Sequence, residues 1–376
     1  MTNERQLKTT NGYFDVVGEI VIDAKTFVLG QAGKNNSNWM QNIFNPKITC
    51  TDGQSMYMRF SSGYDVVAGK TIYARSTSDT NLKISFADRH NDNILKVVND
   101  KSFIRVGIKK ELVKDEATGK EFKRWVYKTF LDSFDAIEFL QTILEPATKH
   151  KVRITGGIRF STYNNEVQRN YDLQSIYLLD GNEDENVLES KLEFIQNVLI
   201  KSDSIVDDID GESGIATVNS LVMVKEKGEF KTIPVKLLMK PKNEKQKKAY
   251  KMIIKNFLTV PEDKVRRINL ECKFESGYIS NQVTEADLVQ EAIDLLEGEI
   301  YTMEEILKMY AVRERVDNLL LRRPKMKIID NLPKIEASDD EYLLSDLEGI
   351  GADIDQEEMI ESDIEVTDLL NDLKDL

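Results

Sequence analysis

Cysteine and histidine are almost missing from this chain, with two of each in 376 residues. Cys50 and Cys272 lie far apart among apolar neighbours, which argues for two buried thiols over a disulfide or a metal site. His90 and His150 are too few for most zinc or acid–base chemistry, and each reads as a surface residue. No window approaches 18 consecutive apolar residues, so no segment is suited to crossing a membrane as a helix. The start, Met1 to Lys8, lacks the apolar core of a signal peptide. These absences lead us to expect a soluble, intracellular protein without metal or cofactor.

Enzyme motifs are also lacking. Gly63 to Thr71 imitates a phosphate-binding loop, but five residues separate Gly63 from Gly69 where four are needed, and Ile72-Tyr-Ala74 continues as a strand. Around Asp207-Asp208-Ile-Asp210-Gly211 a calcium loop would need an Asp at Val206 and a bidentate carboxylate at Thr217, so an exposed acidic loop is expected. No nucleophile–histidine pairing stands out, and no catalytic residue is assigned.

What the chain does have is charge placed at one end. Residues 335–376 hold sixteen acidic residues against Lys374 alone, a net of −15, while the whole chain carries −14. The first 334 residues are therefore near neutral at +1. A polyanionic end of this kind resists packing by self-repulsion and reads as an interaction arm, as an internal competitor for a cationic groove, or as a solubilising tail. Val366, Leu369, Leu370 and Leu373 recur at helical spacing among the carboxylates, with Leu376 closing the chain. Such a segment suits a partner's groove, the leucines burying while the acids steer. Tyr342-Leu-Leu344 with Leu347 and Ile350 forms an earlier apolar cluster, suited equally to docking on the chain's own body.

At 376 residues with 41% apolar content, two compact domains plus the tail are expected. From Tyr13 to Leu179 the pattern is strands with one helix. Phe14, Val16, Gly18, Ile20 and Ile22 share a face, and Met56, Met58 and Phe60 form another inward row that leaves Tyr57 and Arg59 outward. Phe134, Ile137, Leu140 and Leu144 then switch to helical spacing behind Ser133 as cap. A shorter set repeats this order: strands over 192–200, 215–224 and 230–239, an amphipathic helix over 243–259, and a strand over 267–274. Strands, a helix, then more strands, twice over, fits two partly open five-stranded Greek-key barrels. Helices are expected over 284–296 and 302–322, the second with a Thr302-x-x-Glu305 capping box. The fold class expected is thus β-rich α+β. Its parts are a disordered 1–11, a barrel over 12–181, a smaller barrel over 187–280, a helical extension over 283–323 and a disordered acidic tail over 335–376.

The sharpest local signal is Lys149 to Tyr163. Val152, Ile154, Ile158 and Phe160 form one face, leaving Arg153, Thr155, Arg159, Ser161 and Tyr163 on the other. Cations that track phosphates beside a ring that stacks on a base are what an extended single strand needs; the bland alternative is an amphipathic strand whose arginines pair with carboxylates. A second basic region, 231–273, holds 13 basic against 4 acidic residues and suits either a nucleic-acid backbone or the chain's own tail, with a solvated lysine-rich helix as the plain alternative.

The run Val152-x-Ile154-x-Gly156-x-Ile158-Arg159, with Tyr171-Asp-Leu-Gln-Ser-Ile176-Tyr-Leu-Leu179, resembles the closing strands of the oligonucleotide-binding (OB) barrel of single-stranded-DNA-binding proteins. Further pieces are Phe14-Asp-Val-Val-Gly18-Glu-Ile20, Ser37-Asn-Trp39, Met56-Tyr-Met58 with Gly63-Tyr64, Trp125 to Phe130, and Asp135-Ala136-Ile137. With them, residues 12–180 are similar to bacteriophage-encoded proteins of that class, whose acidic tails recruit replication partners. This chain departs in ending Leu373-Lys-Asp-Leu376 where bacterial members end in an acidic run closed by proline and phenylalanine. The resemblance implies a non-enzymatic protein that coats single-stranded DNA during replication or recombination, in the cytoplasm of a host cell if phage-encoded. Its tail would meet replication or recombination proteins. The stacking candidates are Trp39, Tyr57, Tyr64, Trp125, Tyr127 and Tyr163; the phosphate candidates are Arg59, Lys151, Arg153, Arg159 and Arg169. The alternative is an assembly or scaffolding protein whose barrels and tail bind other proteins.

Overall fold

Alternation in the first strand sets the inner face of the molecule. In β1 (Gly12–Val21) Phe14, Val16 and Ile20 are fully buried, and Gly18 lets a neighbouring chain approach, since a Cβ there would meet the Thr49 carbonyl oxygen at 2.7 Å. The computed structural model describes residues 7–33, 38–116, 118–164, 166–179, 188–226, 228–280, 290–298, 300–303, 306, 313–329 and 331–347. The protein is strand-rich.

The first half adds β2 (Phe27–Ala32), β3 (Trp39–Phe44), β4 (Lys47–Thr49), β5 (Ser55–Tyr57), β6 (Phe60–Asp65), β7 (Thr71–Arg75) and β8 (Asn81–Ser85). It continues with the single-turn α1 (Asp92–Leu95), β9 (Ile104–Lys114), β10 (Glu121–Phe130), α2 (Ser133–Ile143), β11 (Lys149–Tyr163) and β12 (Glu166–Leu178). The expected helix is present as α2, but its cap is Asp132, one residue before Ser133. The Asp132 carboxylate accepts from the Phe134 N–H at 2.9 Å while also holding the Lys70 ammonium at 2.6 Å.

The second half comprises β13 (Lys191–Ile200), β14 (Ile205–Asp207), β15 (Ala216–Glu226), β16 (Glu229–Met239), α3 (Glu244–Ile253) and β17 (Val265–Ser280). After them come α4 (Gln290–Glu297), β18 (Arg313–Pro324), β19 (Met326–Ile329), β20 (Leu332–Ile335) and β21 (Ala337–Tyr342). Five of these strands close a ring: β13 pairs β15, β15 pairs β16, β16 pairs β18 in parallel, β18 pairs β17, and β17 returns to β13. α3 comes between β16 and β17 in the chain, and its apolar side, Ile253 with Ile254 and Leu258 just beyond, is buried in the same core.

The two halves share one sheet. β1 pairs β11 on one side and β13 on the other, giving the path β10-β9-β12-β11-β1-β13 and onward into the ring. The joint expected at 180–186 lies outside the described residues, yet the strands flanking it are connected through β1. The core is continuous as well: Tyr171 meets Phe14 edge-on at 5.6 Å and Phe274 at 6.2 Å, and Phe274 stacks on Phe194 at 4.4 Å.

Three expectations are corrected. The helix expected over 302–322 is strand from Arg313 onward, because Leu319 and Leu321 alternate into the ring interior and pairing with β17 and β16 outweighs a weak local preference. Glu305 of the expected capping box lies outside the described residues, and of the helix expected over 284–296 only α4 falls within them. Residues 7–11, expected to be disordered, lie against β15: the Thr10 N–H donates to the Met223 carbonyl at 2.8 Å, and the Met223 N–H donates to the Thr10 hydroxyl at 2.8 Å. The acidic tail, expected to be disordered from Ile335, begins with β21 on the edge of β17, because its carboxylates meet arginines there. Residues 348–376, with Leu369, Leu370, Leu373 and Leu376, lie outside the described residues.

Candidate nucleic-acid interface

The outward face of the β10-β9-β12-β11-β1 sheet carries a ring cluster built over a glycine. Gly107 on β9 pairs with Tyr127 of β10 on one side and Tyr177 of β12 on the other. A Cβ on Gly107 would meet the Tyr177 ring at 2.7 Å and the Trp125 ring at 3.1 Å, so the absent side chain is what lets both rings lie across the strand. Trp125 and Tyr177 have centroids 5.1 Å apart, and Tyr127 meets Tyr177 edge-on at 6.1 Å. Burial, followed by the neighbouring Tyr177 hydroxyl, raises the pKa of the Tyr127 phenol above its ordinary value. Cations frame the rings: the Lys110 ammonium lies 5.4 Å from the Trp125 centroid and the Arg105 guanidinium 5.9 Å from that of Tyr127.

Next along the sheet, Arg153 of β11 stands opposite Tyr177. Its guanidinium donates two hydrogen bonds to Asp15 of β1, at 2.8 and 2.9 Å, and Lys191 of β13 reaches the same carboxylate at 2.5 Å. Burial pushes the Asp15 carboxyl up, but the bonds from Arg153 and Lys191 outweigh it, so the group is held below the ordinary carboxylate range. Two cations thus share one anion, leaving a net positive charge beside the rings. The alternating charges continue through Glu193, which pairs Arg322 on β18.

Of the eleven residues proposed from sequence, Trp125, Tyr127, Arg153 and Lys151 are brought onto this face. Arg159 is on the same strand face further out, bound to Asp172 at 2.5 Å, and Tyr163 is at the exposed β11–β12 turn. Arg169 is on the opposite, inward side of β12. Bound to Asp317 in the cleft between β12 and the ring, it is separated from the row it was expected to join. Alternation explains this: Val167, Arg169, Tyr171 and Leu173 share one side of β12.

Trp39, Tyr57, Arg59 and Tyr64 belong to other surfaces. Trp39 is 43% exposed and its ring covers Gly63, whose added Cβ would sit 2.7 Å from it. Tyr57 is exposed beneath the Lys47 ammonium at 5.6 Å, and Arg59, also exposed, forms no ion pair among the described residues. Tyr64 stacks on Phe86 at 4.4 Å and meets Phe134 at 5.3 Å in a separate small core, which ties up its faces. Tyr177, Gly107, Arg105, Asp15 and Lys191 were not singled out by sequence. The only signal available for Tyr177 is its place one step after the buried Ile176.

The basic surface of the second half is partly covered. On β17, Arg266 donates to both Asp339 oxygens at 2.6 Å and Arg267 reaches Glu341 at 2.7 Å, and Lys264, just before the strand, pairs Asp340 at 3.2 Å. Tyr342 is buried beside Leu199, Met223 and Val265, and its hydroxyl donates to the Lys8 carbonyl at 2.7 Å. The first acidic residues of the tail therefore neutralise Lys264, Arg266 and Arg267 in the folded chain.

Chemistry of other kinds finds little here. Among the described residues no group of three or more His, Cys, Asp or Glu converges to hold a metal ion. Both thiols are buried, with burial pushing Cys50 up to about 11 and Cys272 higher still. His90 is exposed, 3.6 Å from Asp135, which Arg89 already holds at 2.8 Å. No helix among the described residues is long and apolar enough to cross a membrane.

No protein-family model and no curated protein matches the chain. Among solved structures, it is similar to a crystal structure of a deletion mutant of the single-stranded DNA binding protein from Thermus aquaticus. That similarity has 9% identity over 72% of this chain and 89% of the other, with a TM-score of 0.31.

Proposed function

We propose that the protein binds single-stranded DNA with little sequence preference, without catalysis, coating strands exposed during replication or recombination as bacteriophage-type single-stranded-DNA-binding proteins do. The single observation that carries this reading is the cluster of Trp125, Tyr127 and Tyr177 over Gly107, framed by Arg105, Lys110 and Arg153. Rings with accessible faces stack on bases of any identity, and cations at their margin follow the backbone. We read the ring of β13, β15, β16, β18 and β17, with α3 between β16 and β17 in the chain, as an OB-like barrel. We read β1, β4, β9, β11 and β12 as a more open version of the same plan.

In this reading the protein works in the cytoplasm, and the acidic tail has two roles. Its first residues occupy β17 and compete with the strand for cations; its leucine-bearing end, Val366 to Leu373, docks on a replication partner. Replacing Leu369, Leu370 and Leu373 with Ser separates the roles, because competition needs the acids and docking needs the leucines. The test of binding itself is a titration with homopolymeric DNA followed by tryptophan fluorescence. Quenching that saturates with single strands supports the reading, and no quenching with no change in strand mobility contradicts it.

A further inference from the structure

Thirteen basic residues fall between Lys231 and Lys273, and the folded chain divides them into two groups. Eight meet a carboxylate of this protein, among them Lys247 and Lys251 of α3, which both reach Asp210. The other five, Lys236, Lys242, Lys245, Lys248 and Lys255, are exposed and form no ion pair among the described residues. Four of these five belong to α3 and its ends. Lys245 and Lys248 are three residues apart and share a face with Met252, itself 54% exposed. Lys255 follows in the turn that continues the helix, and Lys242 stands just before its Asn243 cap.

Like charges at this spacing destabilise a helix, and a solvated helix ordinarily relieves them with acids three or four residues away. In α3 the one acid is Glu244, at its start. The helix cannot turn its lysines elsewhere: Ile253, Ile254 and Leu258 are buried in the core, and the Tyr250 hydroxyl donates to the Leu321 carbonyl at 3.4 Å. We infer that this face of α3 is a second nucleic-acid contact, one that takes the phosphate backbone alone. The inference rests on reading the protein as a single-strand binder. A polyanion relieves the repulsion among Lys245, Lys248 and Lys255, and its condensed counterions are released as the lysines replace them. The exposed positions of α3 and the turn after it hold no aromatic side chain, so bases have nothing to stack on and the contact is indifferent to sequence. The described acids at the start of the tail pair with Lys264, Arg266 and Arg267 instead. One chain thus offers two surfaces of different chemistry, the ring cluster for bases and α3 for phosphates, and a long strand can meet both.

Salt titrations of the full chain with long poly-dT and with a short oligo-dT, read by strand mobility and tryptophan fluorescence, test this. Changing Lys245, Lys248 and Lys255 together to Gln keeps the helix propensity and removes three cations. On poly-dT the log–log salt slope should flatten by about two units, at roughly 0.7 counterion per lost contact. The saturating quench should be unchanged, because both tryptophans, Trp39 and Trp125, are in the first half. The short oligomer, followed by quenching, reports the ring cluster, and its slope should stay as it is. Lys25, Lys83 and Lys101, exposed lysines of the first half, changed together to Gln control for net charge and should leave the poly-dT slope intact. An unchanged poly-dT slope in the α3 variant, or a slope flattened equally by the control, overturns the inference. So does poly-dT that binds more tightly to the α3 variant, which would make the acidic tail the occupant of this face. The two conclusions stay apart in the readout. Quenching to saturation with no loss of slope sinks the α3 surface alone, and a slope lost from a chain whose tryptophans never quench sinks the ring cluster and leaves the α3 surface.

Discussion

Arg266 holds Asp339 through two hydrogen bonds of 2.6 Å, one guanidinium against one carboxylate across the β17–β21 edge. The bond from Arg266 is the main cause that places the Asp339 carboxyl below its ordinary 3.8, against an opposing contribution from burial. A depressed folded pKa means the contact contributes its full stability above the ordinary value and loses it as pH falls through the lower, folded one. We predict that Asp339→Asn combined with Asp340→Asn and Glu341→Gln tightens strand binding at low ionic strength. The effect should fade toward 1 M salt, where the Debye length is about 3 Å. Affinity measured across a salt series checks it, and unchanged affinity at every salt concentration rejects the competition.

Tyr177→Ala and Trp125→Ala should each weaken strand binding by about 1–3 kcal/mol, the usual worth of one ring stacked on a base. Gly107→Val should do the same without removing a ring, because its side chain would occupy the space within 3.1 Å where the Trp125 and Tyr177 rings now lie. Tyr64→Ala provides the contrast. Its ring is packed on Phe86, so the expected outcome is a loss of about 2–4 kcal/mol in stability with affinity per folded molecule unchanged. Denaturation and binding curves on the four variants read both quantities.

Much of the fold was legible in the sequence because burial has a period. Phe14, Val16 and Ile20, then Met56, Met58 and Phe60, and later Leu270, Cys272 and Phe274 all point inward as their alternation implies. Leu319 and Leu321 were not legible, since a short apolar run reads as helix or strand until a partner strand is known. The site was half legible. Outward Arg153 and Trp125 follow from alternation, but Arg153's bond to Asp15 joins residues 138 apart in the chain, and Gly107 gains its meaning only from two strands that meet across it.

Asp15→Asn should strengthen strand binding. It removes the carboxylate shared by Arg153 and Lys191 and frees both cations toward phosphates, so the log–log salt slope should steepen by about one unit at roughly 0.7 counterion per contact. Arg153→Ala should flatten the slope by less than one unit. Because the Asp15 carboxyl is held below its ordinary 3.8, its contribution to stability stays whole above that pH and falls away below it. The two variants should therefore differ in salt slope at neutral pH, and a common slope would contradict the shared-carboxylate account.

Phe274→Ala should cost about 3–5 kcal/mol, because this fully buried ring stacks on Phe194 and touches Tyr171 of the other half. Since β1 pairs strands of both halves, the loss should lower the melting of the whole body in one transition. Calorimetry showing two separated transitions, only one of them displaced, would contradict this coupling.

The central claim is tested most directly by titrating the full chain with oligo-dT and with a duplex of equal length at matched salt, following tryptophan fluorescence. With about 4–6 phosphates neutralised, the single strand should quench fluorescence to saturation with a log–log salt slope near −3 to −4, roughly 0.7 counterion leaving per contact. The duplex, whose bases are stacked away from Trp125 and Tyr177, should bind far more weakly. A duplex bound as tightly as the single strand, or a single strand that leaves fluorescence unchanged and does not bind, contradicts the account.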